Sequence, residues 1–471
     1  MTVRGETEIQ LFDLIIRNGD ILTFDGGGFL KGYSLGIRNG IIASVTKLPI
    51  EGNEILDATG KMVLPGFIDF HSHVDGNMFS AECLLRQGAT TTIGGERNFN
   101  GAVIRRIAEN GFLINHGFYI SHSFTLRKAA GVEDPYRAAT KGEIKTMGLL
   151  AEEFLVSGAF GIHFGLEFAP GTSTNEIVAL SRIAKAHNRI IVVHLRKDGP
   201  EALDTLAEIF DVARETGVSV HILHLTYMVG IEGLMDQALK TIERAISEGL
   251  DITADTGLYE AFPTCIGAPI LDGDLSLKYG KNKSVSNIII SSGLKAGEPC
   301  DEASFAFLRD KYPNTLITAF VFDEKEIQKA LVKPYVYVST NAADGPHYEN
   351  IGHPETAGTF PRLLRKYVRE TGLIDLSEAI KKITLYPAER FGIAKKGRIA
   401  PGMDADLVIA DYSSINDCAD YIIHGNPNAP PAGISQVLVN GVLVLDEGCL
   451  NTECMAGRML FHQVKLSSVE V

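Results

Sequence analysis

The sequence predicts an α/β protein organised around a (β/α)8 TIM-like barrel, and two observations carry that prediction. Short apolar runs alternate with helical stretches from about Phe67 to Phe391, the pattern of parallel strands joined by crossover helices. Both ends of the chain read instead as β, with Asn-Gly turns between apolar runs. Length agrees. The 471 residues suggest about three domains at ~150 each, but a barrel commonly fills ~250 or more as one domain.

In chain order, LFDLIIRNGDILTF and YSLGIRNGIIASV come first, broken by Asn18-Gly19 and Asn39-Gly40. Asn-Gly between apolar runs predicts hairpins, because a type I′ turn needs positive φ twice. The same signal returns at Asn440-Gly441 in VLVNGVLVLDEG. Barrel-strand candidates are FIDFHSH, GATTTIGG, GFLINHGFYIS, GAFGIHFG, RIIVVHLR, VSVHILHL, LDITADT, NTLITAF and PYVYVST. That is one more than a barrel needs, and NTLITAF is expected to be peripheral or no strand at all. KGEIKTMGLLAEEFLVSG and EALDTLAEIFDVARETG read as crossover helices. Tyr259–Pro299, rich in Gly and Ser, is long for a loop and is expected to form a lid.

Apolar residues make up 45% and charged residues 22%, the balance of a soluble globular protein. Net charge is −14, from 44 basic and 58 acidic residues. This disfavours nucleic acid and anionic membrane surfaces as partners. Six cysteines are too sparse for a disulfide scaffold. The N-terminal MTVRGETEIQLFDLII lacks the pattern of a signal peptide, and no apolar run approaches ~20 residues. A cytoplasmic protein with reduced thiols is the expectation.

The chemistry lies at strand ends. FIDFHSH puts His71 and His73 two apart, on one face of a strand. At the C-terminal end of a barrel strand that face is the catalytic mouth. Paired neutral imidazoles there suit a divalent transition metal. RIIVVHLR ends with His194 and VSVHILHL with His224, so histidines from three strands would converge. His221 fits a hydrogen-bonded core residue, as does His116. After the last strand, Asp344 is a candidate ligand and general base, with Asn341, nearer the strand end, as its rival. His347 and His353 in that loop read as exposed rather than functional.

PGFIDFHSH, LLRQGATTTIGG, GAFGIHFGLEFAPG, the His194/His224 pair, HPETAGTFPRLLRKYVRE and KGRIAPGMDADLVIAD together resemble the amidohydrolase superfamily, and within it the N-acyl-D-amino-acid deacylase branch. The resemblance covers most of the chain. It implies a distorted barrel, here over about residues 65–393, a span that includes the lid stretch near 259–299. It also implies a small β-sandwich domain built from both chain ends, 8–64 plus 394–471. One or two divalent metals, usually Zn2+, would be held by His71, His73, His194, His224 and Asp344. Asp344 would also shuttle protons. His122 and Arg127 match a branch segment, and His122 would polarise the substrate carbonyl. Arg196 matches a position near the pocket.

Three departures from the branch stand out. A metal-bridging cysteine is expected after the second strand, where this chain reads Gly94-Gly95-Glu96-Arg97-Asn98. Glu96 is its natural replacement, and Arg97 a candidate for binding a substrate carboxylate. Thr226 stands where the branch has a carboxylate-reading lysine. His163 stands where the branch has a small residue, as an extra ligand, an outer support or a buried polar group.

The expected activity is hydrolysis of a carbon–nitrogen bond in a small amide. Bound Zn2+ would lower the pKa of water from ~15.7 to about 7, giving a hydroxide to attack the carbonyl. A linear N-acyl-D-amino acid is the first expectation. A cyclic amide of the dihydroorotase or hydantoinase kind is the alternative, and a non-catalytic scaffold the third reading. By analogy with the branch, a homo-oligomer is expected.

Overall fold

The computed structural model describes residues 11–24, 28–95, 100–342 and 351–462. Its centre is a ring of parallel strands. Phe67–Asp69, Ala89–Gly94 and Asn115–Phe118 form one sheet. Ile120–Ser121, Gly161–Gly165, Ile190–His194, Ser219–Ile222, Ile252–Thr256 and Val336–Val338 form another. Asn115–Phe118 runs almost directly into Ile120–Ser121, so the third barrel strand belongs to both sheets. The ring closes on the other side through the backbone. Asn341 N–H donates to the His71 carbonyl at 3.0 Å, and His73 N–H to that of Ala342 at 2.8 Å.

Alternation along the strands sorts side chains into two cores. In the fifth strand Ile191 and Val193 pack outward against the helices. Ile190 and Val192 pack inward with Ile68, Phe70, Tyr119 and Phe391. The next inward position is His194, so the sequence period itself delivers that imidazole to the barrel mouth. The crossover helices are bounded by local chemistry. Thr140 and Glu143 make a capping box at the start of Lys141–Val156. Gly217, at φ 67°, ends Ala202–Thr216 in the left-handed conformation that glycine adopts without strain.

NTLITAF lies outside the ring, as expected of a peripheral strand. Leu316–Phe320 pairs antiparallel with Ala261–Cys265 on one side and Ile288–Ile290 on the other. The stretch read as a lid is thus part of an ordered insertion with an apolar core of its own, which includes Ile266, Ile288 and Ile317.

The chain ends form two sheets. One is four-stranded, in the order Ile41–Thr46, Ser34–Arg38, Phe12–Arg17, Gly52–Asp57. The other mixes both ends, with Leu407–Ala410 from the C-terminal part paired to Met62–Pro65. Leu14 and Ile37 from the first sheet share one core with Val63, Leu407 and Leu438 from the second. The Asn-Gly turns at 39–40 and 440–441 make hairpins, with positive φ at both residues. The expected hairpin at Asn18-Gly19 does not form. Only Asn18 has positive φ, and its flanking strands lie in different sheets, so the turn passes the chain from one to the other.

A buried lysine fastens these sheets to the barrel. Lys396 Nζ donates to Asp404 at 2.9 Å, to Asp406, and to Asn440 Oδ1 at 3.3 Å. Asp406 accepts the Asn440 N–H at 2.7 Å and reaches Asn115 of the third barrel strand. Lys396→Met would leave the Asp406 carboxylate buried without its cation. Such a loss costs ~3–5 kcal/mol, and Asp406→Asn in the same chain should recover part of it. Urea midpoints of the single and double variants check this.

Candidate active site

Four histidines meet at the C-terminal mouth of the barrel. His71 and His73 follow the first strand, His194 ends the fifth, and His224 lies just past the sixth. Ring centroids are 5.7 Å apart for His71 and His73, 5.0 Å for His71 and His224, and 4.2 Å for His194 and His224. All four line one pocket, whose outer wall is Phe262, Pro263, Thr264, Cys265 and Leu316 of the insertion. The pocket is partly open to solvent.

Carboxylates behind the rings set their orientation. Asp255, an inward residue of the seventh strand, lies 3.3 Å from His71 Nδ1 and 3.0 Å from His221 Nε2. It also accepts the backbone N–H of His224 at 2.7 Å and the Ser339 hydroxyl at 2.8 Å. Burial opposes ionisation of Asp255, but the facing imidazoles of His71 and His221 outweigh it and hold the carboxyl well below its usual range. Glu167 lies 2.7 Å from His194 Nε2. A carboxylate on one nitrogen of a ring is the support that fixes a metal-ligating imidazole.

His224 is a strained residue. Its φ of 27° is one that branched or ring-bearing residues rarely adopt, and the bond to Asp255 helps hold it there. Burial, then the neighbouring His194 and His71, push its pKa far down, so its ring is neutral. Its Nδ1 is buried with no hydrogen-bond partner among the described residues. A neutral imidazole with an unused buried nitrogen, beside two carboxylate-backed imidazoles, fits a divalent metal. Among the described residues no three His, Cys, Asp or Glu side chains already stand as a metal cluster. Two expected carboxylate ligands, Glu96 and Asp344, lie outside the described residues, as do Arg97 and His347.

The remaining expectations divide. His163 of the fourth strand lines the pocket. Asn341, at φ 50°, also lines it, and its Oδ1 is 3.0 Å from His73 Nε2. His116 and His221 are fully buried, as core residues should be. His353, expected to be exposed, is 1% exposed, packed between Tyr259 and Tyr421.

His122 and Arg127 do not reach the pocket. His122 Nε2 is 2.8 Å from Glu176 Oε1, and Arg127 Nη1 donates to both oxygens of the same carboxylate. All three are buried, so they form an ion-paired cluster inside the barrel wall rather than a carbonyl-polarising group. Arg196 is likewise engaged, with Glu208 at 2.9 Å and the Pro170 carbonyl. Thr226 turns to Thr256 of the seventh strand and does not line the pocket. It lies on the short helix Leu225–Val229, where the following residue, Tyr227, faces the pocket instead. Glu176→Gln is expected to destabilise the fold by ~3–5 kcal/mol, because Arg127 stays buried without its anion. The folded fraction should keep kcat/KM within ~10-fold of wild type. Denaturation and steady-state kinetics on one preparation separate the two effects.

Several site residues escaped the sequence reading: Glu167, Asp198 and Tyr227, which line the pocket, and Asp255 and Glu355 behind them. Tyr227 O–H donates to Glu355 Oε2 at 2.6 Å, and Asn341 Nδ2 to Glu355 Oε1 at 3.1 Å, a chain that ends on His73. Burial raises the Glu355 carboxyl well above its usual value. It also pushes that of Asp198 up to about 7.

The barrel, its histidine mouth and the carboxylate-backed rings define a metal-dependent amidohydrolase. A model of the amidohydrolase family matches residues 351–444. The D-aminoacylase of Alcaligenes xylosoxydans xylosoxydans is 30% identical over 97% of this chain and 99% of its own. A crystal structure of D-aminoacylase superposes with a TM-score of 0.83 at 28% identity, over 96% of this chain and 100% of that one. The N-acyl-D-glutamate deacylase of Bordetella bronchiseptica, solved with zinc and a phosphonate inhibitor, gives 0.83 at 26% identity over the same shares. The chain belongs to the amidohydrolase superfamily, in its N-acyl-D-amino-acid deacylase branch. It is a hydrolase of carbon–nitrogen bonds other than peptide bonds and uses a divalent metal. No described helix is long and apolar enough to cross a membrane.

Proposed function

We propose that the protein removes the acyl group from N-acyl-D-amino acids, with zinc as its metal. The reading is carried by the meeting of His71, His73, His194 and His224 in one pocket, in a chain alignable with D-aminoacylase from end to end. On this reading the chain divides into a barrel of about residues 65–393 and a β-sandwich made of the two terminal sheets. The insertion that walls the pocket acts as its lid.

His71, His73, His194 and His224 hold the metal, with Glu96 and Asp344 as carboxylate ligands. A divalent metal held there would supply Lewis-acid polarisation of the amide carbonyl and a lowered water pKa. Asp255 and Glu167 keep the His71 and His194 rings in place, so no reorganisation is needed as the reaction proceeds. Asp344 accepts the proton of the attacking water and passes it to the amide nitrogen, which must be protonated to leave. Asn341 cannot accept that proton, because an amide is not basic. Its bonds to His73 and Glu355 make it a positioning group instead. Arg97 binds the substrate carboxylate. Phe262 and Leu316 restrict water at the mouth.

Mass spectrometry of the zinc-loaded protein with a mixed panel of N-acyl-D-, N-acyl-L- and cyclic amides tests this. The expected result is two fragments from N-acyl-D substrates only. A single product heavier by one water would mean ring opening and overturn it. Asp344→Asn should keep its metal and lose most turnover, by ~10²-fold or more.

A further inference from the structure

One residue lining the pocket carries a buried carboxylate oxygen with no donor among the described residues. Asp198 lines the pocket a few residues past His194 and is 3% exposed. Its Oδ2 accepts the Tyr279 hydroxyl at 2.6 Å, while its Oδ1 is buried with no hydrogen-bond partner among the described residues. Burying such an oxygen unsatisfied costs free energy, which a ligand donor would recover.

The surroundings say what kind of donor. Among the described lining residues there is no Lys or Arg, and the second acid, Glu167, is occupied by His194. Tyr279, which bonds Asp198, starts a row of aromatic rings. The Tyr279 ring lies 5.9 Å from that of Phe262, which is 6.4 Å from that of Tyr227, and Phe262 and Tyr227 both line the pocket. A carboxylate beside aromatic faces is the chemistry that receives an ammonium or guanidinium group. An acidic substituent would meet Glu167, and the ionised form of Asp198, with like charge, whereas a cation would favour that ionised form.

We propose that Asp198 and the Phe262 wall form a cation subsite, so that the preferred substrates are N-acyl amino acids whose side chains end in an amino or guanidino group. This rests on the hydrolase reading above, but it concerns recognition rather than bond cleavage. The metal end of the pocket handles the amide, and the Asp198 end reads the side chain.

The test pairs binding with turnover. D-lysine, its neutral isostere D-norleucine and D-glutamate are titrated calorimetrically into the zinc-loaded protein, wild type and Asp198→Asn. Turnover of their N-acetyl derivatives is measured in parallel. The expected result is lysine binding at least ~10-fold tighter than norleucine, with glutamate weakest. The same order should appear in kcat/KM, carried mainly by KM. Asp198→Asn should bring lysine and norleucine close to parity, and Asp198→Ser serves if the first variant does not fold. Lysine binding no tighter than norleucine to the wild type overturns the subsite, even if acyl groups are released. A lysine preference that survives both variants also overturns it. Selective lysine binding without turnover leaves the subsite standing and counts against the deacylase reading instead.

Discussion

Asp255→Ala is expected to cost the chain stability and metal binding together. One carboxylate serves His71, His221, the His224 backbone and Ser339. Its removal orphans a buried N–H and releases two rings at once. Loss of the support behind one metal-ligating imidazole typically lowers metal affinity ~10–100-fold, and loss of a buried ionic partner costs ~3–5 kcal/mol. The variant should therefore purify with little metal and unfold at lower urea. Asp255→Asn keeps an acceptor for the His224 N–H and should recover part of the stability but not the metal affinity. The folded-state pKa of Asp255 is depressed, so its contribution is present above the ordinary carboxylate value of ~3.9 and fades as pH falls below it. Elemental analysis and urea titration at neutral pH check both variants. Normal metal content in Asp255→Ala would show that the carboxylate does not hold the site.

The buried neutral histidines should draw stability from the fold in mild acid, above the range where exposed carboxylates titrate. Burial lowers the His116 pKa to about 4 and that of His353 to about 3, from an ordinary value near ~6.5. A base with a depressed folded pKa is neutral in the native chain and takes up its proton on unfolding. Its contribution is thus complete above pH ~6.5 and is lost as pH falls toward the folded value. Each such group changes stability by about 1.4 kcal/mol per pH unit once the unfolded form is fully charged. Between pH 6 and 5 the two together should remove roughly 2 kcal/mol. Burial also depresses the pKa values of His122, His221 and His224, which adds to the loss. Urea midpoints of wild type and His353→Gln at pH 7 and 5 isolate it, because the raised carboxyls of Asp198 and Glu355 act in the opposite sense in both proteins. A loss between pH 7 and 5 as large in the variant as in wild type would contradict the neutral-core account.

The metal-facing histidines were legible because strand period and strand ends are written in the sequence. Ile190–His194 alternates inward and outward, and the alternation alone carries His194 to the mouth. Their carboxylate supports were not legible. Asp255 sits inside ITADT, where an acid reads as one polar residue among threonines, and it meets His71 across 184 residues of sequence. One signal was available: Asp255 occupies an inward position near a strand end, as His194 does. His122 and Arg127 misled for the converse reason. Their common partner, Glu176, lies 54 and 49 residues away on a helix, and only the fold shows that it claims both. Thr226 and Tyr227 differ by one helical step, which decides which of them faces the ligand. At the chain ends, local turn chemistry identified two hairpins. The Asn18-Gly19 turn differed because sheet membership is a tertiary property.

The central claim is that the four-histidine pocket holds the metal that makes this chain a deacylase. The most direct test is to strip the protein with a chelator and titrate zinc back while following amine release from an N-acetyl-D-amino acid. The account predicts no release from the stripped protein and activity that rises with bound zinc. It also predicts a His71→Ala/His224→Ala double variant that stays inactive at every zinc concentration while remaining folded. Full activity in the stripped protein, or zinc-restored activity in the double variant, would contradict it.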